Sequence, residues 1–234
     1  MLDFADFVCY NTFCEVTTMK LQYLGHASFR IISEMGTTVV CDPYKADWVG
    51  FDMARVRCDV VTISHHHADH DCMDSILGSP AELDVEISCA ADDIAIESIA
   101  TFHDDEQGAK RGANLVFTFL VDGLKVVHMG DIGCLDDKVV SQIRGCDVLL
   151  LPVGGTFTVD YTGAKWYVDQ VAPKIVVPMH YQTDEHNFTV DGVDKFLSLF
   201  PAESITANAT DTLTLYDAPQ NDQTQVVVLQ RYKD

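Results

Sequence analysis

The chain has 234 residues, 47% hydrophobic and 22% charged, enough to bury a sizeable core as one soluble globular domain. Its 15 Lys and Arg face 36 acids, 28 of them Asp, for a formal net charge of −21. Such a surface repels nucleic acid and anionic membranes at long range, and no apolar tract reaches the roughly eighteen residues of a membrane span.

Residues 1–18 show no clear period and are expected to form an N-terminal extension to a domain over residues 19–234. The opening Met1-Leu2-Asp3-Phe4-Ala5-Asp6 carries acids where a secretory signal carries Lys or Arg, so a cytoplasmic protein is expected. The eight cysteines (Cys9, Cys14, Cys41, Cys58, Cys72, Cys89, Cys134 and Cys146) contain no Cys-x-x-Cys pair, and several sit in apolar runs, as reduced core thiols do. An Asp-rich, Lys-poor surface also suits a salt-adapted cytoplasm, where screening relieves self-repulsion.

In chain order, strands are expected at Lys20 to Leu24, Phe29 to Ser33 and Thr37 to Cys41, each bounded by Gly or polar residues, as an antiparallel meander. Pro43 stops it and leaves Asp42 at a strand end. There Asp42 either accepts a hydrogen bond from the far ring nitrogen of a metal-binding histidine or forms an Asx turn. The apolar run Asp59 to Ile63 then leads into Ser64-His65-His66-His67-Ala68-Asp69-His70. Four imidazoles and a carboxylate within six positions are metal-ligand density. In extended chain His65 and His67 point the same way, towards one ion, and His66 points opposite. Once the backbone turns at Ala68, Asp69 and His70 can serve a second ion.

Further along, Asp71 to Leu77 reads as a helix stopped by Gly78-Ser79-Pro80, Val85 to Cys89 as a short strand, and Asp92 to Ala100 as helix-like. His103 to Asn114 is a polar loop before a hairpin of Leu115 to Val121 and Lys125 to Met129 around Asp122-Gly123. Helices are expected at Asp136 to Arg144, Gly163 to Val171 and Val193 to Phe200. Strands are expected at Val148 to Leu151, Ile175 to Pro178, Leu213 to Tyr216 and Val226 to Gln230, with a glycine loop over Pro152 to Phe157. Strands that meander and then alternate with helices, twice over, suit two sheets packed face to face with helices outside.

The His-x-His-x-Asp-His pattern resembles that of the metallo-β-lactamase superfamily. The resemblance extends over roughly Met19 to Asp234 through Gly25-His26-Ala27-Ser28, Cys41-Asp42-Pro43, His128-Met129-Gly130-Asp131, Pro152-Val153-Gly154-Gly155-Thr156 and Pro178-Met179-His180-Tyr181. It implies an α/β (α+β) fold, the four-layer αββα sandwich, with ligands at strand ends. It also implies three later ligands: His103 to join His65 and His67 on one ion, His180 to join Asp69 and His70 on the other, and Asp131 shared between them. Within the superfamily the chain looks most like the small single-domain hydrolases related to ascorbate-6-phosphate lactonase and N-acylphosphatidylethanolamine phospholipase D. Asp131 stands where dizinc β-lactamases carry a cysteine, which argues against antibiotic hydrolysis.

The expected cofactors are two divalent metal ions, zinc first, with manganese or iron also suited to the donor set. Such a pair holds a bridging water as hydroxide and polarises a carbonyl or phosphoryl oxygen. Asp69 would orient that nucleophile as well as ligate. His26 and His128 are the candidates for protonating the leaving group, with His128 alternatively supporting a ligand. Gly154-Gly155 either presents N–H groups to an anion or makes a tight turn, and Tyr181 either contacts substrate or packs. His66 and His186 receive no role. The expected function is hydrolysis of an ester, lactone or phosphodiester bond of a small-molecule substrate, with no nucleic-acid or membrane partner. The alternative is a non-catalytic metal-binding scaffold or sensor of the same fold.

Overall fold

Period-two burial sets up two sheets in the computed structural model, which describes residues 18–207 and 210–233. The expected N-terminal extension, with Cys9 and Cys14, lies outside the described residues except for Thr18. The first sheet has six strands in the spatial order Thr212–Leu215, Met19–Gly25, Ser28–Ile32, Thr38–Cys41, Val60–Thr62 and Ala81–Leu83. The second has eight, in the order Ile205–Ala207, Gln225–Val228, Ile175–Met179, Val148–Pro152, Leu124–His128, Ala113–Val121, Ile94–Phe102 and Ser88–Ala91.

Alternate residues of one strand belong to different cores, as strand geometry requires. Leu21 and Val39 of the first sheet meet Phe117, Phe119, Leu150 and Val177 of the second in the inter-sheet core. Their neighbours Leu24 and Val40 face outward with Tyr44, Val49 and Met53, while Leu149, Leu151 and Val176 face outward from the second sheet. That outer face is covered by α2 (Asp137–Ile143), α3 (Tyr161–Val171) and α4 (Val193–Leu197), through residues such as Val140, Tyr167 and Phe196. The four-layer α+β sandwich is therefore present, with one thin outer layer: over the first sheet lie the one-turn α1 (Ala46–Val49) and loops.

Two expected helices are corrected. Asp71 to Leu77 is a 3₁₀ turn at Met73–Ser75 followed by Ile76–Leu77, which pairs in parallel with Val56–Arg57. Asp92 to Ala100 is mostly strand, because Ile94, Ile96 and Ile99 are buried along the antiparallel pairing of Ile94–Phe102 with Ala113–Val121. Ala and Glu in that segment favour helix weakly, and long-range pairing outweighs such preferences. The expected strand at Val85 to Cys89 forms later, over Ser88–Ala91. Strands at 56–57, 81–83 and 205–207 and α1 were not anticipated.

Parallel pairing aligns the strand ends. Thr38–Cys41, Val60–Thr62 and Ala81–Leu83 run parallel in one sheet, and Leu124–His128, Val148–Pro152 and Ile175–Met179 in the other. The loops that leave them begin at Asp42, Ile63, Met129, Val153 and His180, and gather at one rim of the sandwich.

Candidate metal centre

The strand ends at Thr62, the chain bends at Ser64 and His65, and it turns where expected: the amides of His70 and Asp71 donate to the His67 carbonyl at 2.8 and 3.1 Å. Donor atoms of His65, His67 and His103 lie within 4.8 Å of one another, and so do those of His26, Asp69, His70 and His180. Asp131 stands between the sets. Its Oδ2 is 3.4 Å from His103 Nε2 and 3.2 Å from both His70 Nε2 and His180 Nε2. All seven expected ligand residues thus meet at the rim.

Nε2 of His65, His70 and His180 and Oδ1 of Asp131 are buried without a hydrogen-bond partner. Converging lone pairs that are buried and unpaired carry a high desolvation cost, and a divalent cation removes that cost by taking them as ligands. The residues present therefore fit a metal. Burial first, and the neighbouring His70 ring second, push the His65 ring down to about 3. Burial and then His180 lower His26 to about 3. A neutral ring keeps a lone pair free to ligate. Burial alone would raise the Asp131 and Asp69 carboxyls. The His180 and His70 rings hold the first, and the His70 and His26 rings the second, well below the ordinary carboxylate range.

Behind the donors lies a hydrogen-bonded frame. Asp42 Oδ2 is 2.8 Å from His70 Nδ1 and accepts from Ser64 Oγ at 2.6 Å, while Ser64 Oγ stands 2.9 Å from His65 Nδ1. Asn114 accepts from the Asp131 amide at 2.9 Å and donates to the Met129 carbonyl at 2.9 Å. Gly130, at φ 54°, makes the turn that presents Asp131, and a Cβ there would overlap Asn114 Oδ1 and Ser64. Four non-glycine residues at this rim have positive φ: His26 (55°), Asp42 (45°), Thr156 (62°) and His180 (50°). Strained backbone of this kind concentrates at functional sites, where the surroundings over-determine it.

Both expected acid candidates sit away from the cleft wall. His128 is fully buried, with Nδ1 accepting from the Gly130 amide at 3.2 Å and Nε2 2.8 Å from the Ala27 carbonyl. With both nitrogens engaged by backbone it has no proton to offer substrate, and it joins the two sheets instead. His26 is also fully buried; its Nε2 stands 3.3 Å from Asp69 Oδ2, outside hydrogen-bond geometry, and the cleft is reached through Asp69. Gly155 forms a turn, its carbonyl accepting from the Phe157 amide at 2.7 Å, and Gly154 is pressed against the His180 carbonyl. Tyr181 packs into the outer core. His66 is exposed near Asp71 and Asp84, and His186 is held by Thr183.

The donors open onto a cleft of about 600 Å³ lined by His67, Asp69, Asp131, Trp48, Phe157 and Phe188, among others. The sequence reading missed Ser64, Asn114 and these aromatics. Asn114 and Phe157 lie far along the chain from the ligands they meet, Ser64 looks like any strand-end serine, and Phe188 sits in a loop with no regular pattern.

A two-sheet sandwich with histidines and carboxylates converging at one rim defines a class of metal-dependent hydrolases. The family model for the beta-lactamase superfamily domain matches residues 20–180. A crystal structure from Thermotoga maritima, of a protein assigned to the Zn-dependent hydrolases of the metallo-β-lactamase superfamily, is 34% identical. It aligns with 91% of this chain and 100% of its own, with a TM-score of 0.75. A UPF0173 metal-dependent hydrolase of Pelotomaculum thermopropionicum is 30% identical over 200 residues, 70% of this chain and 85% of the relative. One of the same name from Archaeoglobus fulgidus is 29% identical over 196 residues, 70% of this chain and 84% of the relative. The chain belongs to the metallo-β-lactamase superfamily, as a metal-dependent hydrolase.

Proposed function

We propose that the chain binds two divalent cations at this rim and hydrolyses an ester, lactone or phosphodiester bond of a small molecule in the cytoplasm. The observation that carries the reading is the set of buried, unpaired donor atoms on His65, His70, His180 and Asp131 beside an open cleft. His65, His67 and His103 would hold one cation and Asp69, His70 and His180 the other, with Asp131 reaching both. This mixed nitrogen and oxygen set suits zinc first and accepts manganese or iron. Such cations, when bound, supply Lewis acidity, lowering the pKa of water and polarising a carbonyl or phosphoryl oxygen.

The chain's own groups supply the rest. Asp69 both reaches the second donor set and lines the cleft, so its carboxylate would orient the attacking water and pass its proton on to the leaving oxygen. Asp42 and Asn114 fix His70 and Asp131 from behind. Trp48, Phe157 and Phe188 line the cleft and offer an apolar surface to the body of a substrate.

Metal content and hydrolysis of bis-p-nitrophenyl phosphate and simple lactones, compared with His67→Ala and Asp131→Ala, test this. About two ions per chain are expected, with ions and turnover lost together in the variants, turnover by about 10²-fold or more. Bound metal with no turnover of any phosphodiester, ester or lactone would leave the non-catalytic metal-binding protein as the reading.

A further inference from the structure

Resting on the reading of this cleft as a hydrolytic site, we propose that its substrate has an aryl-sized apolar body and a carboxylate or phosphate held by Arg111. In a chain with 36 acids and 15 bases, Arg111 is, among the described residues, the one Lys or Arg that lines the cleft. Among the described residues its guanidinium forms no ion pair. Its side-chain hydrogen bond goes to the Thr156 carbonyl, 3.1 Å from Nη2, and its Cζ lies 5.3 Å from the Phe157 ring centre. A guanidinium carries five N–H donors in a planar fork matched to carboxylate and phosphate, so most of this one's donors are free for a ligand.

The surroundings hold Arg111 at a fixed reach from the donors. Asp104, the residue after His103, accepts four backbone hydrogen bonds, from the amides of Glu106, Gly108, Lys110 and Arg111 at 2.8, 2.9, 2.9 and 2.7 Å. One carboxylate thus ties the whole segment from His103 to Arg111. An aromatic wall of three mutually contacting rings joins the two ends: ring centres are 5.9 Å apart for Phe157 and Phe188, 5.9 Å for Phe188 and His180, and 6.5 Å for Phe157 and His180. A flat apolar body laid on this wall, with its anion on Arg111, has its far end at the candidate metal ligands, where the bond to be cleaved belongs. A cationic group at the same place would face Arg111 directly.

The test is calorimetric binding of hydrocinnamate, phenethylphosphonate and the neutral hydrocinnamamide to the metal-loaded full chain, wild type, Arg111→Met and Arg111→Lys. In wild type the anions are expected to bind about 10-fold or more tightly than the amide, the scale of one charge-assisted hydrogen-bonded contact. Whichever anion binds more tightly identifies the substrate group. Arg111→Met brings both anions down to the amide, and Arg111→Lys, which keeps the charge, restores part of the preference. Equal binding of amide and anions in wild type overturns the proposal. So does undiminished anion binding in Arg111→Met, which would mean the cations alone hold the anion, and so does a Lys variant with no restored preference. Binding needs no turnover, so a chain that grips these anions through Arg111 yet hydrolyses nothing would sink the hydrolytic reading while leaving the anion site standing.

Discussion

The Asp42 carboxylate accepts from the Ser64 amide at 2.8 Å and the Ser64 hydroxyl at 2.6 Å, and His70 Nδ1 lies 2.8 Å from it. A proton held on Nδ1 by this carboxylate leaves the lone pair of His70 on Nε2, the atom that faces Asp131. Of the two readings open to Asp42 in the sequence, the distance selects the histidine's acceptor. The choice was invisible along the chain because the partners are 28 positions apart. Replacing the carboxylate by an amide of the same shape removes the charge that fixes the tautomer. Asp42→Asn is therefore expected to keep the fold and lower metal affinity about 10–100-fold, measured by competition with a chromogenic chelator. An unchanged affinity would show that the tautomer is set elsewhere.

At the scale of elements, α3 shows how a helix far from the donors serves the rim. Ala164, Tyr167, Val168 and Val171 recur at helical spacing and are buried against the second sheet. Tyr167 donates from its hydroxyl to the Cys134 carbonyl at 2.8 Å and accepts from the Asp136 amide at 2.9 Å, anchoring the loop that follows Asp131. The helix starts at Asp160, whose carboxylate accepts from the amides of Thr162 and Gly163, each at 2.9 Å. Burial would raise this carboxyl, but the Thr162 hydroxyl and the two amides hold it below its ordinary 3.8. Asp160→Ala should cost about 1 kcal/mol near neutral pH. Because the folded pKa is depressed, the cap's contribution is complete above about pH 4 and fades as pH falls through the folded value. Denaturant melts of wild type and variant should therefore differ at pH 7 and converge on acidification; a gap that persists in acid would assign the cost to packing. Helix α3 was legible over Gly163 to Val171, but its start at Tyr161 behind the Asp160 cap was not. Ile94–Phe102 was not, because its partner strand begins at Ala113, beyond any local window.

For the molecule as a whole, charge is the outstanding term. The ion pairs Lys110–Glu106, Lys165–Asp169 and Lys195–Asp191 join neighbours one helical turn apart and are largely exposed, so they offset little of a net −21. Self-repulsion among the remaining acids opposes the compact state and is screened by salt. Raising KCl from about 0.05 to 2 M should raise the melting temperature by several degrees, at roughly 2–4 °C per kcal/mol for a chain of this size. A melting temperature indifferent to salt would mean that the acids are spaced widely enough not to interact.

What the sequence determined by itself is what local chemistry encodes: the alternating apolar strands, three of the helices, and a histidine cluster too dense to be anything but a ligand loop. The later donors His103, Asp131 and His180 were legible through the superfamily resemblance, each beside a strand end. Only the tertiary structure decided which groups stand behind and around them. Asn114 comes from a strand, and Ser64, Arg111, Phe157 and Phe188 from the loops at one rim, and nothing in the sequence alone shows which ligand each would meet. It also moved His26 and His128 off the cleft wall, since a residue's exposure depends on how two sheets pack rather than on its neighbours in the chain. Ligand identity follows residue type, whereas access, tautomer and substrate contact follow from distances that exist only once the sheets have closed.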